Sequence, residues 1–247
     1  VSSSGPKLIG QDKKINFMLY GRPGIGKTRL VGGWPDTLIL RPPVDHTRSI
    51  RTKNVYEWVM RDWDTMNEAF EYLRHEASSG KHPWVWLDSI SLFQDIGLDD
   101  IWDRVVAEKP HRARYGLDKG EYGINMDRLA RWVRDVVELP GFNFGITAHP
   151  FDATDPETGE VLAMPWIQGQ RMPQKICGYM NVVGYYTFDS KGRRVLKFDA
   201  NPDYHAKDQT DLLGSEMLDP TMSKIMQNLG LGNTTQRRTP RRATKRS

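Results

Sequence analysis

A short apolar run that ends in a glycine-rich loop constrains this chain more than any other feature. INFMLYGRPGIGKT (15–28) opens with Ile15, Phe17 and Leu19 among apolar neighbours and is bounded by polar residues and glycine. That is the pattern of a strand buried on both faces. Residues 21–28, GRPGIGKT, fit G-x-x-x-x-G-K-[ST], the phosphate-binding loop. Gly21, Gly24 and Gly26 let the backbone turn so that several N–H groups point inward at a triphosphate, and the helix that follows adds its positive end. Pro23, Ile25 and Arg29 complete the candidate phosphate-contacting set. Lys27 is placed to reach the β- and γ-phosphates, and the Thr28 hydroxyl to ligate Mg²⁺. A helix over 27–31 should stop at Gly32-Gly33.

WVWLDS (84–89) is the second informative stretch. A buried strand ending in a carboxylate suits a metal site, because Asp88 then sits at the strand's C-terminal edge beside the ion. Four apolar residues and an Asp mean little alone. Here they follow the loop after a second short strand at 37–40 and a helix that carries Met66, Ala69, Phe70, Leu73 and Ala77 on one face. Thr65 and Glu68 have the spacing of a capping box for that helix, which should end at Gly80. A further strand, FNFGIT (142–147), closes on Ala148-His149-Pro150. A polar side chain at such a tip can sense the γ-phosphate, so His149 is a candidate, with Thr147 as helper.

Between these strands the chain reads as helix over 91–106, then as a polar, glycine-punctuated stretch, KPHRARYGLDKGEYG (109–123), then as helix over 125–138. Basic residues interleaved with Tyr115 and Tyr122 suit single-stranded nucleic acid, where bases stack and phosphates are neutralised. The same composition suits a solvated loop before a helix. Arg128, Arg131 and Arg134 fall on one face of that helix, away from Leu129, Trp132, Val133, Val136 and Val137, and read as a wet face. Residues 155–159 form a turn. IQGQRMPQK (167–175) is a second polar loop, with Arg171 and Lys175 as candidate nucleic-acid contacts. A β-hairpin is expected over 182–188 and 193–198, and a helix over 220–229.

The pI of about 9.1 misplaces the charge if read for the whole chain. From residue 233 onward stand Arg237, Arg238, Arg241, Arg242, Lys245 and Arg246 with no acid, and without these six the net +4 becomes −2. The basic character belongs to the tail. A lone cysteine, Cys177, excludes an internal disulfide and points to a reducing compartment. No apolar run is long enough to span a bilayer, so no membrane partner is expected.

The order of strand, phosphate loop, helix, strand, helix, Asp-tipped strand, helix and His-tipped strand resembles the RecA-like core, an α/β fold with a mostly parallel sheet flanked by helices. GRPGIGKT at 21–28, WVWLDSIS at 84–91, YGLDKGEYGINMDRLARWVRDV at 115–136 and GITAHP at 145–150 resemble the phage-encoded RecA-like ATPases of the Sak single-strand-annealing type, a phage AAA ATPase family. The resemblance covers residues 13–200. It implies ATP and Mg²⁺ as cofactors and ATP hydrolysis in work on single-stranded DNA in recombination or replication. It also implies a homo-oligomer, a single-strand-binding protein as a partner, and the cytoplasm of a bacterial host. One departure stands out. RecA-like enzymes place a catalytic glutamate just after the second strand, and here the nearest acid is Asp45, with Glu57 or Glu76 next in line.

The chain thus divides into a flexible lead-in (1–12), an ATPase core (13–200), a C-terminal helical extension (201–232) and a disordered basic tail (233–247). A GTPase is excluded, since no N-K-x-D element is present. A P-loop small-molecule kinase, with Arg112 and Arg114 on a lid, stays open. So does a module that uses ATP as a switch with negligible turnover. The tail carries its own prediction. Its cations have no aromatic or apolar companions, so they bind DNA through phosphates alone. Truncation after Gly232 should weaken single-strand binding and flatten its salt dependence, by about 0.7 in log–log slope for each phosphate-bound cation removed, with basal ATPase unchanged. A salt titration of binding checks it.

Overall fold

The computed structural model describes residues 14–76, 79–154, 159 and 161–231. The lead-in, Ala77, residues 155–158 of the turn expected at 155–159, and the tail cations Arg237, Arg238, Arg241, Arg242, Lys245 and Arg246 lie outside the described residues. The strands are β1 (Asn16–Gly21), β2 (Leu38–Arg41), β3 (Tyr56–Val59), β4 (Trp84–Leu87), β5 (Asn143–Ala148), β6 (Pro150–Thr154), β7 (Val161–Pro165), β8 (Val182–Phe188), β9 (Arg194–Lys197), β10 (Lys207–Asp208) and β11 (Glu216–Leu218). The helices are α1 (Lys27–Val31), α2 (Trp63–Glu76), α3 (Ile90–Glu108), α4 (Lys119–Glu138), α5 (Met172–Gly178) and α6 (Met222–Asn228). No helix among the described residues is long and apolar enough to cross a membrane.

The central sheet runs in the order β11-β9-β8-β1-β5-β4-β2-β3, with β10 pairing β8 beside that path. From β3 to β8 every pairing is parallel, and β9, β10 and β11 add antiparallel strands at the β8 side. Parallel strands need crossovers, and crossover helices cover both faces. The core is accordingly double. Met18 and Tyr20 of β1 pack with Val85, Leu87, Phe144 and Ile146 under α2, α3, α4 and α5. Phe17 and Leu19 of the same strand pack with Ile39, Trp84 and Trp86 under α1 and α6. Alternate residues face opposite layers and both layers are apolar, which is why β1 and β4 read as unbroken hydrophobic runs.

Several expected elements differ. Helix α4 starts at Lys119, six residues before the expected 125. Asp118 and Glu121 form a reciprocal capping box: Glu121 N donates to Asp118 Oδ1 at 3.1 Å and Asp118 N donates to Glu121 Oε2 at 2.6 Å. Together with a 3₁₀ turn over Pro110–Arg114, this leaves only Lys109 and 115–118 of the expected loop outside helical structure, and Tyr122 lies on α4. Helix α2 starts at Trp63. Its cap is Asp62, whose Oδ1 accepts Thr65 N at 2.7 Å, so Thr65 lies inside the helix. Lys175 sits on α5, not in a loop, because Pro173 near that helix's start presets φ. Arg128 is not on a wet face: it is half-buried, 2.7 Å from Asp100 on α3, with its guanidinium 4.1 Å from the Trp63 ring centroid. The stretch 201–232, expected as a helical extension with its helix at 220–229, holds β10 and β11 as well as α6 over its described residues, and those strands extend the sheet.

The middle of the sheet is closely packed. The Trp84 and Trp86 rings stack with centroids 5.1 Å apart, and Trp86 lies across Gly145 of β5, the next strand. A Cβ at Gly145 would fall 2.2 Å from the Trp86 ring. Forcing a methyl group into such a core typically costs about 1–3 kcal/mol. Gly145→Ala should lower unfolding stability by that amount, moving the urea midpoint down with an unchanged slope, as equilibrium denaturation will show.

Candidate functional site

The C-terminal ends of β1, β2, β4 and β5 meet on one edge of the sheet, and the candidate catalytic residues all emerge there. The chain leaves β1 for β2 on one side, while β8 lies on the other side, so the order reverses at β1. Ligands bind at such a switch point in open α/β sheets. The loop between β1 and α1 turns through left-handed conformations at Gly24 (φ 79°) and Gly26 (φ 106°). Side chains with a Cβ rarely adopt these angles, so the loop's shape rests on these two glycines. Ile25 between them is buried in the α1 layer and anchors the loop, while Pro23 and Arg29 are exposed.

Lys27 is only 7% exposed. Its Nζ donates to Gly21 O at 2.8 Å and Arg22 O at 3.3 Å, folding the ammonium over the loop's own carbonyls. Burial pulls its pKa down, against the pull of the nearby Asp88 and Asp45 carboxylates. Asp88 is buried, and burial raises its pKa above the usual carboxylate range. Hydrogen bonds from Thr147 and Thr28 oppose that rise, Thr147 donating through Oγ1 to Oδ1. Lys27, Thr28, Asp88 and Thr147 are therefore one cluster. Asp45, half-buried on the turn after β2, acts electrostatically on Lys27, Asp88 and His149.

His149 begins the chain's exit from β5. Burial and the Lys27 charge both lower its pKa, so the ring is neutral at physiological pH. It stacks on Trp166 with centroids 6.4 Å apart and planes 18° apart. Ser91 fixes both residues. His149 N donates to Ser91 Oγ at 2.9 Å, and Ser91 Oγ donates to Trp166 O at 2.8 Å. Trp166 N donates back to His149 O at 2.7 Å. Gln94, one helical turn on, donates to Ser91 O at 3.0 Å and accepts from Gln168 N. Neither Ser91, Gln94 nor Trp166 stands out in the sequence as a site residue. Ser91 and Gln94 meet partners more than fifty residues away, and the only local trace is the serine pair after Asp88.

The two reserve candidates for the base are placed less well. Glu57 Oε2 accepts from Arg41 Nε at 2.8 Å and from Thr47 Oγ1 at 2.6 Å, and these bonds hold its pKa below the usual range. Glu76 ends α2 on the way to the start of β4, at the opposite edge of the sheet. The candidate nucleic-acid residues are more dispersed. Tyr115 is 77% exposed. Arg171 is exposed just before α5, and Lys175 Nζ lies 4.0 Å from Asp127 of α4.

A family model described as AAA domain matches residues 13–210. Comparison with curated proteins gave no match.

The buried Asp88 carboxylate is a liability for the fold. Its folded pKa is raised, so the native state holds the proton more tightly than the unfolded chain, and stability falls as pH rises between the two values. Asp88→Asn should therefore melt higher than the parent at pH 8, and that advantage should vanish near pH 3, below the unfolded value. The same variant should lose more ATP turnover than nucleotide affinity. Thermal melts across pH, with a nucleotide titration, check both.

Proposed function

The chain belongs to the AAA-domain family of P-loop ATPases, and on that footing we propose that it hydrolyses ATP with Mg²⁺ in work on single-stranded DNA. The observation that carries the reading is the joining of Lys27, Thr28, Asp88, Asp45 and His149 at one edge of a parallel sheet. The donor set fits the ion. Mg²⁺ prefers hard oxygen ligands and is held by one or two protein groups together with phosphate oxygens and water. Thr28 and Asp88 supply a hydroxyl and a carboxylate side by side, and the neighbouring Ser89 Oγ is buried without a hydrogen-bond partner among the described residues. When bound, the ion neutralises charge on the triphosphate.

In this reading Lys27 leaves its loop carbonyls for the phosphates. Asp45 orients or deprotonates the attacking water, being the acid nearest the cluster whose carboxylate, among the described residues, is not paired with a cation. Neutral His149 donates a hydrogen bond near the γ-phosphate, and its contacts with Ser91 and Trp166 carry the state of that site to the segment that reaches Arg171. Exposed Tyr115 and Arg171, with Lys175 on the helix that follows Arg171, contact DNA, and a homo-oligomer repeats these contacts along a strand. The four-stretch resemblance to Sak-type phage ATPases supports this DNA role. The exposed aromatic beside the basic 3₁₀ turn at Pro110–Arg114 supports it as well.

Lys27→Ala should abolish triphosphate binding. Asp45→Ala should cut turnover by roughly a hundred-fold or more, the usual effect of losing a general base, with ATP affinity little changed. Tyr115→Ala should retain basal hydrolysis but lose the ATP-dependent part of single-strand binding. Hydrolysis assays with and without single-stranded DNA, paired with binding in a non-hydrolysable analogue, test all three. Wild-type turnover in Lys27→Ala would overturn the reading. Turnover that responds to a small-molecule acceptor and not to DNA would favour the kinase alternative.

A further inference from the structure

Beside the phosphate loop lies a cleft of about 490 Å³ that the phosphate and metal chemistry leaves unused. It touches the loop at Gly26 and α1 at Arg29, and stops short of Lys27, Thr28 and Asp88. Tyr186 of β8 and Arg194 of β9 form its floor, and its far wall is the connection from β11 into α6, residues 219–223. That wall lies beyond residue 210, where the family match ends.

The wall is built, not draped. Asp219 N donates to Arg194 O at 2.8 Å. Lys224 Nζ donates to Leu218 O at 3.1 Å and Asp219 O at 3.0 Å, and Thr221 caps α6 by accepting Lys224 N at 3.2 Å. Met222, Ile225 and Met226 set α6 on the core layer beneath α1, Met222 also lining the cleft, and Trp84 Nε1 reaches Met226 Sδ at 2.9 Å. Arg194 Nε donates to Ile25 O at 2.8 Å, so the floor holds the phosphate loop as well.

We infer that this cleft takes the ribose and nucleobase of the bound nucleotide, and that the β11–α6 connection supplies the recognising wall. The inference rests on the nucleotide reading above. Phosphates held by Lys27 and Thr28 leave the nucleoside to extend past Gly26 and Arg29, which is where the cleft opens. Its volume is that of a small-molecule pocket. Its chemistry suits a flat, polar-edged ring: Leu30 and Met222 give apolar surface, the Arg29, Arg51 and Arg194 guanidiniums can lie against a π face, and the Ser223 hydroxyl stands at the rim.

Ser223 is exposed on α6 and caps nothing, so Ser223→Trp fills the cleft from its rim without disturbing the core. The variant should melt as the parent does and bind Mg-ATP roughly tenfold or more weakly, a loss of about 1.4 kcal/mol or greater. Its affinity for inorganic tripolyphosphate should be unchanged. Photolabelling of the wild-type chain with 8-azido-ATP should mark the peptide containing residues 219–223 or Arg194, and this stands as the deciding measurement if Ser223→Trp does not fold. Unchanged ATP affinity in a folded Ser223→Trp, or label found only elsewhere, overturns the inference. Wild-type binding of neither ATP nor tripolyphosphate would overturn the nucleotide reading itself, and the cleft's assignment with it.

Discussion

The arrangement depends on placing a lysine ammonium and an aspartate carboxylate together where water does not reach. Lys27 and Asp88 are both buried, and each is pushed by burial toward its neutral form. Removing such charges from water costs several kcal/mol per ion unless partners and hydrogen bonds offset it. Here the offset comes from Thr147 and Thr28 on the carboxylate and from the Gly21 and Arg22 carbonyls on the ammonium. These partners come from β1, α1 and β5, so the cluster exists only if the parallel sheet holds its strands in register. The two apolar layers supply the stability from which that cost is drawn.

What can be read in the sequence follows from how local each signal is. The phosphate loop is legible because its glycine angles, lysine and threonine act within eight residues. Asp88 is legible because an Asp after four apolar residues, at this distance behind a phosphate loop, marks a strand end. The cap of α4 is equally local, since Asp118 and Glu121 have capping-box spacing, but the surrounding glycines and charges resemble a loop. β3 shows less: Tyr56 and Glu57 are exposed at the sheet's edge, so its alternation is weak. β10 and β11 are two and three residues long, too short for any period to register. Arg128 reads as solvated because Asp100 and Trp63, which hold it, lie on other helices.

The same reasoning separates the parts of the candidate site. Lys27, Thr28 and Asp88 follow from motifs. Asp45 follows only from position, as the acid nearest the end of β2, and the fold brings it within electrostatic reach of the cluster. The roles of Ser91, Trp166 and the cleft wall at 219–223 do not follow from any local motif. Each acts by meeting a residue that the sequence does not mark as its partner: Ser91 meets His149, and Asp219 meets Arg194. A motif records what a backbone segment does to a ligand, whereas these residues record what one segment does to another.

That distinction bears on the proposed coupling between the site and the DNA contacts. Between His149 and Trp166 there are a backbone hydrogen bond and a stacked ring pair, and Ser91 closes the triangle from α3. Gln94 extends it, bonding Ser91 O and Gln168 N, while Asn125 of α4 donates to Gln94 O at 2.9 Å. Ser91, Gln94 and Asn125 are all at most 5% exposed, so a bond broken within this network is costly to leave unmade. The segment they grip runs into Arg171, and the helix they grip follows Tyr115. On the proposed reading, a displacement of His149 by a terminal phosphate would reach both proposed DNA contacts through this network. No loop need be flexible for that coupling. It needs only that the polar network be satisfied in one arrangement with the phosphate present and in another without it.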